Sequence, residues 1–464
     1  MSHARDLTTG PLAGHFRALA VPTAVGMVFT TLTNVADMYF AGMLGTDEQA
    51  GLALSFQVFM VLVALGFGVS SAMSALVGNA LGGKLAQRAR HVANQGILFA
   101  ITASVVFFIA GQLGAGTMLG VISEPGGARD AATSYLEVLL FSMPAFLLAY
   151  GANGVLTAQG DTVTVSRAQI GAFFANLVLN PLFIFGIPGL VPGLGFDGIA
   201  LSTVVCYLGM LAWVLTRVMR SDVMREATAA WRVDLAEWRE IMAQAIPVSF
   251  AMIVMMIAGF VVQYTLKGFG PDAQAAYGVA LRIEQILLLP AFGLTGALLP
   301  IAAQNLGAGQ FDRVRAAAWF CVRTGAVLML GAAVVLWLGG GRAMSIFSDD
   351  PRVVEIGASY LIVDGFILPL YVILFAINSL LQAFKKPLWT LVIGLYRQGF
   401  GVAFFIWLFV TVLDAGLWGV WIGIATSVVT GFAVSLIVLE YIARPRIGGC
   451  FAPQRAAVAS AAGS

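Results

Sequence analysis

The chain has 464 residues, 59% of them hydrophobic and only 10% charged, with a mean hydropathy of +0.91. Soluble domains carry about 25% charged residues, so this composition excludes a soluble globular protein and points to a polytopic membrane protein. A net charge of +2 with no basic, aromatic-laced patch speaks against a nucleic-acid partner, and three dispersed cysteines, Cys206, Cys321 and Cys450, against a disulfide framework or zinc site.

Hydrophobic runs of about 20 residues, the length that crosses a bilayer, fall at 15–40, 50–78, 92–113, 132–157, 163–186, 197–218, 240–266, 274–303, 316–338, 357–383, 390–410 and 416–441. The fold class is therefore all-α integral membrane, with twelve transmembrane helices. The segment 1–14 is polar and ends in a long apolar run, which reads as a retained helix and not a signal peptide. Lys and Arg orient the spans. With the N-terminus inside, 19 basic residues fall on inner segments and 4 on outer loops, which places both termini in the cytoplasm.

The first span sets the problem. It holds Asp37, with Asn34 three residues earlier on the same helix face. A charge deep in a bilayer costs roughly 3 kcal/mol or more, so this face must meet protein or water. Pro22 lies near the start of the span, removes one backbone hydrogen bond and invites a bend there. A helix-packing hydrogen bond or an outer-end cap is the plainer use for Asp37.

In the fifth span Asn176 and Asn180 are four apart, hence on one face, and Pro181 follows. In the sixth, Ser202 and Thr203 come a short way after entry. Counted from the outer ends, Asp37, Asn180 and Thr203 share one depth. Three helices thus offer a carboxylate, two amides and a hydroxyl at one level. Such a cluster can bind a proton or a sodium ion, and the two asparagines can equally knit helices together. Tyr150, Asn153, Gln57 and Asn378 are candidates to line a central cavity, as are Met27, Met60, Met252, Met255 and Met256, since methionine suits adaptable apolar sites.

The second half repeats the first at an offset of 225. Pro22 meets Pro247, Leu81-Gly82 meets Leu306-Gly307, Arg88 and Arg90 meet Arg313 and Arg315, and Asn153 meets Asn378. Six spans per copy keep both copies the same way up, so the expected architecture is two six-helix bundles related by a parallel pseudo-two-fold repeat. The expected division is 1–14, an N-lobe at 15–218, a linker at 219–239, a C-lobe at 240–441 and a tail at 442–464. Within the linker region, WRVDLAEWRE reads as a surface helix, and the last residues read as a disordered tail. The repeat fails where it is most informative: Asp37 meets Val262, Asn176 meets Gly401 and Asn180 meets Phe405. The second lobe carries its own intramembrane charges, Arg282, Glu284, Asp364 and Arg397. They read as a mutually cancelling network, with contact between Glu284 or Asp364 and a cationic substrate as the alternative.

No phosphate loop, HExxH, nucleophile elbow or His/Cys cluster occurs, so no enzyme or direct ATP use is expected.

These features resemble the multidrug and toxic compound extrusion (MATE) family, with closest likeness to its bacterial DinF-like branch. The resembling residues are Pro22, Asn34 to Asp37 and Ala41-Gly42 in the first span. Gly78 to Gly82, Gln159-Gly160, Asn176 to Pro181 and Gly198 to Ala200 continue the likeness, and Arg282 to Glu284 and Gln304 to Gly307 extend it into the second copy. The resemblance implies export of organic, often cationic compounds, and so drug resistance, driven by a proton or sodium gradient. It implies Asp37 as the coupling carboxylate, helped by Asn176 and Asn180, with Thr203 as a further match and bending at Pro22 during protonation. Some relatives have an aspartate where this chain has Asn180; its absence weakens a sodium cage and favours protons. No cofactor beyond the coupling ion is expected. The partners are small organic molecules and the lipid bilayer, the protein is expected to be a monomer, and its place is the inner (cytoplasmic) membrane. A lipid-linked precursor flippase of the same superfamily is the alternative; it calls for several bases lining the cleft.

Overall fold

A computed structural model describes residues 5–187, 191–225 and 232–450. Twelve of its helices are long and apolar enough to cross a membrane. They are α1 (Leu12–Leu44), α2 (Thr46–Gly82), α3 (Ala86–Val121), α4 (Gly127–Ala158), α5 (Val163–Phe185), α6 (Asp197–Met219), α7 (Leu235–Lys267), α8 (Pro271–Gly307), α9 (Phe311–Ser345), α10 (Pro351–Ala383), α11 (Leu388–Val412) and α12 (Gly416–Ile447). Most exceed the roughly 20 residues that fill the hydrocarbon, so their ends project beyond it. Gly186–Ile187 pairs antiparallel with Val191–Pro192 in the turn between α5 and α6.

The repeat is visible in the backbone. Thr46, Ala86 and Val163 begin α2, α3 and α5, and Pro271, Phe311 and Leu388, each 225 residues later, begin α8, α9 and α11. The turns repeat as well. Lys84 (φ 56°) follows α2 where Gly309 (φ 69°) follows α8, and Gly160 (φ 77°) follows α4 where Lys385 (φ 57°) follows α10. A left-handed residue ends the helix in both copies, and only one copy of each pair uses the residue that adopts it without strain.

The lobes meet through α1, α2, α7 and α8. Helix α1 packs on α8 as α7 packs on α2, and α2 packs on α8, the pattern that a two-fold axis between copies requires. Hydrogen bonds between the lobes gather at the end that carries the termini. There Asn79 Nδ2 donates to Ala383 O (3.1 Å), Gln304 Nε2 donates to Ala158 O (2.7 Å), and Ser71 donates to Gln382. Arg88 reaches Glu237 (2.5 Å) and Glu240 (2.8 Å), and Glu240 holds Lys385 (3.0 Å). The cleft is closed at this end.

The polar N-terminal segment is tied to both lobes. Residues 5–10 lie as a strap across the closed end: Arg5 N donates to Gln159 O (2.9 Å), Leu7 N donates to Gln304 Oε1 (2.9 Å), and Asn305 Nδ2 donates to Leu7 O (3.1 Å). Leu7 is fully buried, and Arg313 donates to the carbonyls of Thr9 (3.0 Å) and Gly10 (2.7 Å). The strap therefore ties one lobe to the other. The stretch expected as a surface helix is corrected: it runs into α7 from Leu235, while its first residue, Trp231, and the rest of 226–231 lie outside the described residues. Of the tail expected over 442–464, α12 takes the part up to Ile447, and 451–464 lie outside the described residues. Asp234 caps α7, accepting from Ala236 N (3.0 Å) and Glu237 N (3.3 Å), while His91 Nε2 lies 3.0 Å from its other oxygen. The Glu237 backbone N–H first, and His91 next, hold the exposed Asp234 carboxyl below the usual carboxylate range.

Candidate functional site

Helix α1 brings Asp37 against the same face of α5 that carries Asn176 and Asn180. Asp37 is 6% exposed, and both asparagines are fully buried. Asn176 Nδ2 donates to Asp37 Oδ1 at 3.0 Å and Asn180 Nδ2 donates to the same oxygen at 2.8 Å. Asn180 Nδ2 also lies 3.1 Å from Asn176 Oδ1. From α6, the fully buried Ser202 hydroxyl donates to Asn180 Oδ1 and lies 3.4 Å from Asn176 Nδ2. Two donors thus converge on one carboxylate oxygen. Oδ2 makes no hydrogen bond among the described residues.

The carboxylate borders a cavity of about 100 Å³, whose wall includes Asn34, Tyr135, Tyr150, Gln169, Thr203 and Tyr207. The expected set is therefore gathered in part. Asp37, Asn176 and Asn180 touch. Asn34 borders the cavity but makes no hydrogen bond to Asp37 among the described residues; it is exposed on α1, on the open side of the carboxylate. Thr203 also borders it, but its hydroxyl donates to Ile199 O in its own helix (3.1 Å). Its neighbour Ser202 supplies the hydroxyl that reaches the amides, because one residue step turns a helix by about 100°.

A larger cavity, about 460 Å³, lies between the lobes, within the usual range for organic-ligand pockets. Tyr150 and Asn153 line it as expected, and so does Asn378. Gln57, Glu284 and Met256 do not. Helix α2 presents Phe67, Ser70, Ser71 and Ser74 to the cavity, about three turns beyond Gln57. Helix α7 presents Val248, Ala251, Met252 and Met255, a stripe at helical spacing that stops one residue short of Met256. Glu284 instead sits in the C-lobe core, where it accepts from the Tyr360 hydroxyl at 2.6 Å.

The cancelling network expected in the C-lobe makes no direct contacts: among the described residues no ion pair joins Arg282, Glu284, Asp364 and Arg397, although Glu284 and Arg397 lie within electrostatic reach of each other. Arg282 is exposed, both Asp364 carboxyl oxygens are buried without a hydrogen-bond partner, and Arg397 faces the larger cavity.

Tyr150, Gln169 and Met210 line both cavities, so the carboxylate and the inter-lobe space share a wall. Gln169 went unnoticed in the sequence although the signal was present. Residues 169, 172 and 176 follow one helical stripe on α5, and all three border the small cavity. Gln169 also fixes the closeness of α1: a Cβ at Gly26 would lie 2.0 Å from its Oε1. Pro22, four residues before Gly26 on α1, flanks the contact with α8, where a Cβ at Gly293 would lie 2.6 Å from Ala20 O and 3.1 Å from the Ala24 side chain. The proline that removes one hydrogen bond from α1 is therefore placed at the lobe interface, between the strap and the carboxylate.

Comparison with known proteins gives a consistent picture. A family model described as MatE matches residues 22–182 and again 247–407, two segments offset by the same 225 residues as the sequence repeat. The FAD transporter of Shewanella oneidensis is 26% identical over 405 residues, covering 86% of this chain and 88% of its own. The probable multidrug resistance protein YoeA of Bacillus subtilis is 25% identical over 431 residues, 90% of each chain. Among solved structures, an outward-facing multidrug resistance MATE family transporter of the MOP superfamily superposes with a TM-score of 0.88 at 21% identity, over 97% of this chain and 98% of that one. A MOP superfamily transporter from Pyrococcus furiosus superposes with a TM-score of 0.87 at 21% identity, over 98% and 100%. At that identity the structural likeness speaks for the fold alone.

Proposed function

The chain belongs to the MatE family of multidrug efflux transporters, and from that premise we propose that it is a proton-coupled antiporter that exports organic compounds by alternating access, with Asp37 as the coupling carboxylate. The observation that carries this reading is the convergence of two amide donors on Asp37 Oδ1, beside a cavity that shares Tyr150, Gln169 and Met210 with the inter-lobe space. The donors hold the ionised carboxylate in one geometry. Oδ2 is left to take a proton, and protonation weakens the charge-assisted bonds from α5. Helix α1 is then freed to move about Pro22, while Gln169 and Tyr150 carry the change to the cavity wall. A ligand or ion shifts a conformational equilibrium only by binding the two states differently, and the asymmetric hydrogen bonding of this one group supplies such a difference.

The amide geometry favours a proton over sodium. Hard cations need several oxygen ligands. Here Asn180 Oδ1 is taken by Ser202 and Asn176 Oδ1 by Asn180, while the amide hydrogens point at the carboxylate. With both termini in the cytoplasm, as the basic-residue count favours, the closed and strapped end is the inner one and the cleft faces outward. Relatives named for cargoes as different as FAD and multiple drugs support a cavity that accepts several organic frameworks, and nothing in the site calls for chemical change of the cargo. The flippase alternative calls for several bases in the cleft; of the two intramembrane arginines, only Arg397 borders the cavity.

The test is export by purified protein in liposomes with each gradient imposed alone. A pH gradient at equal sodium is expected to drive substrate movement, and a sodium gradient at equal pH is expected to leave it at background. The reverse pattern would overturn proton coupling.

A further inference from the structure

We infer that the inter-lobe cavity takes organic molecules bearing an anionic group, a carboxylate or a phosphate on an aromatic framework, and that Arg397 is the residue that recognises it. The inference rests on the transport reading above and departs from the cationic cargo that family resemblance implied.

The wall of the cavity sets its polarity. Among its lining residues Arg397 is the one charged side chain, and no aspartate, glutamate or lysine accompanies it. The rest is neutral, a mixture of aliphatic, aromatic, sulfur-bearing, amide and hydroxyl groups, with Phe67, Phe292 and Phe375 as flat apolar faces and Asn378, Gln382 and Gln398 as neutral polar ones. A cationic guest would meet one like charge and no counter-charge there. An anionic guest would meet a guanidinium, whose fork matches two oxygens of a carboxylate or phosphate at once.

Arg397 is held for this task. It is 8% exposed, and among the described residues its guanidinium makes no ion pair or hydrogen bond. Its charge lies within electrostatic reach of Glu284, but Glu284 is engaged by Tyr360 instead. Its ring contact is with Tyr371, 5.9 Å from the guanidinium carbon to the centroid. An arginine without a direct ion pair inside a membrane is costly and marks a functional position.

The backbone around it is specialised. Leu395–Gly401 is a π-helix, a form that occurs in short pieces and often at functional sites. Arg397 O accepts from the buried Ser427 hydroxyl of α12. A Cβ at Gly431 would lie 2.6 Å from both Cγ and Cδ of Arg397, so the glycine makes room for the aliphatic stem and aims it along α12. The wide turn, the hydroxyl and the missing side chain together present the guanidinium to the cavity.

Two dyes on one xanthene framework test this without any gradient: fluorescein, an anion, and rhodamine 123, its cationic ester relative. Binding to the purified full-length protein is read by fluorescence anisotropy. Wild type is expected to bind fluorescein more tightly than rhodamine 123. R397Q is expected to weaken fluorescein binding by about tenfold to a hundredfold, the effect of losing a hydrogen bond to a charged group, while binding rhodamine 123 at least as well as wild type, which also shows that it is folded. R397K is expected to fall between the two for fluorescein, keeping the charge without the fork. Should R397Q not fold, the wild-type preference and R397K decide. No fluorescein binding by wild type, a preference for rhodamine 123, or fluorescein binding indifferent to R397Q would overturn the inference. The coupling role of Asp37 is read from gradient-driven export and this inference from binding with no gradient imposed, so failure of the one and failure of the other give different results.

Discussion

Asp37→Asn is expected to reduce gradient-driven export to the background of protein-free vesicles while leaving the protein folded. The substitution keeps the shape and keeps an oxygen where Asn176 and Asn180 donate at 3.0 and 2.8 Å, so the packing of α1 on α5 has no reason to fail. What it removes is the exchangeable proton. Carrying a two-state protein from 1:99 to 99:1 takes roughly 5.5 kcal/mol of differential binding, and an asparagine that neither gains nor loses a proton contributes none. Initial export rates in liposomes under an imposed pH gradient, beside substrate counterflow at equal pH, separate the two effects. Export is lost in the variant and counterflow persists. A variant that exports at the wild-type rate removes Asp37 from the mechanism.

The second large effect is expected at the closed end of the cleft. A Cβ at Gly82 would lie 1.8 Å from Gln304 O and 2.5 Å from its carbonyl carbon, and at Gly307, its repeat mate, 2.0 Å from Asn79 O. Ordinary contact starts at 3.4 Å, and the obstacles are backbone atoms of the opposite lobe, which have no rotamer to change. Gly82→Ala therefore opposes closure of this end, against the hold of the strap and the Gln304 and Asn79 hydrogen bonds. Every 1.4 kcal/mol of strain lowers the population of the closed state about tenfold. Spin labels at Gln87 and Lys386, exposed on either lobe at this end, are expected to move apart in Gly82→Ala, and export is expected to fall at least about tenfold. Gly114→Ala, on an open surface with nothing within 4 Å, is the matched control and is expected to change neither. Unchanged label distances with unchanged export would contradict a closed end that depends on backbone contact.

The architecture was legible because its signals are long-range and redundant. Twelve apolar runs and a constant offset of 225 survive errors of several residues at any boundary, and the starts of α2, α3 and α5 recur at that offset in α8, α9 and α11. The Asp37, Asn176 and Asn180 contact was legible for a different reason: polar residues at helical spacing and matching depth in a membrane have few places to go. The misses are local. Ser202 and Thr203 are adjacent and chemically alike, and only the rotation of α6 decides which reaches the amides. Leu7 is a single apolar residue in a polar segment, and nothing in the sequence says that its backbone finds Gln304 and Asn305. Arg397 was grouped with Arg282, Glu284 and Asp364 because opposite charges in lipid ordinarily pair. The π-helical turn of α11 and the bare Cα of Gly431 send it to the cavity instead, and neither leaves a mark in hydropathy.

The central claim is that cargo and proton compete through Asp37. The most direct measurement is proton release on substrate binding, followed with a pH indicator in weakly buffered detergent solution at a pH where part of the protein is protonated. Because coupling between two ligands is reciprocal, wild type is expected to release protons on saturation with substrate, and Asp37→Asn to bind the same substrate and release none. Equal release from both proteins, or none from wild type while substrate binds, would contradict the account.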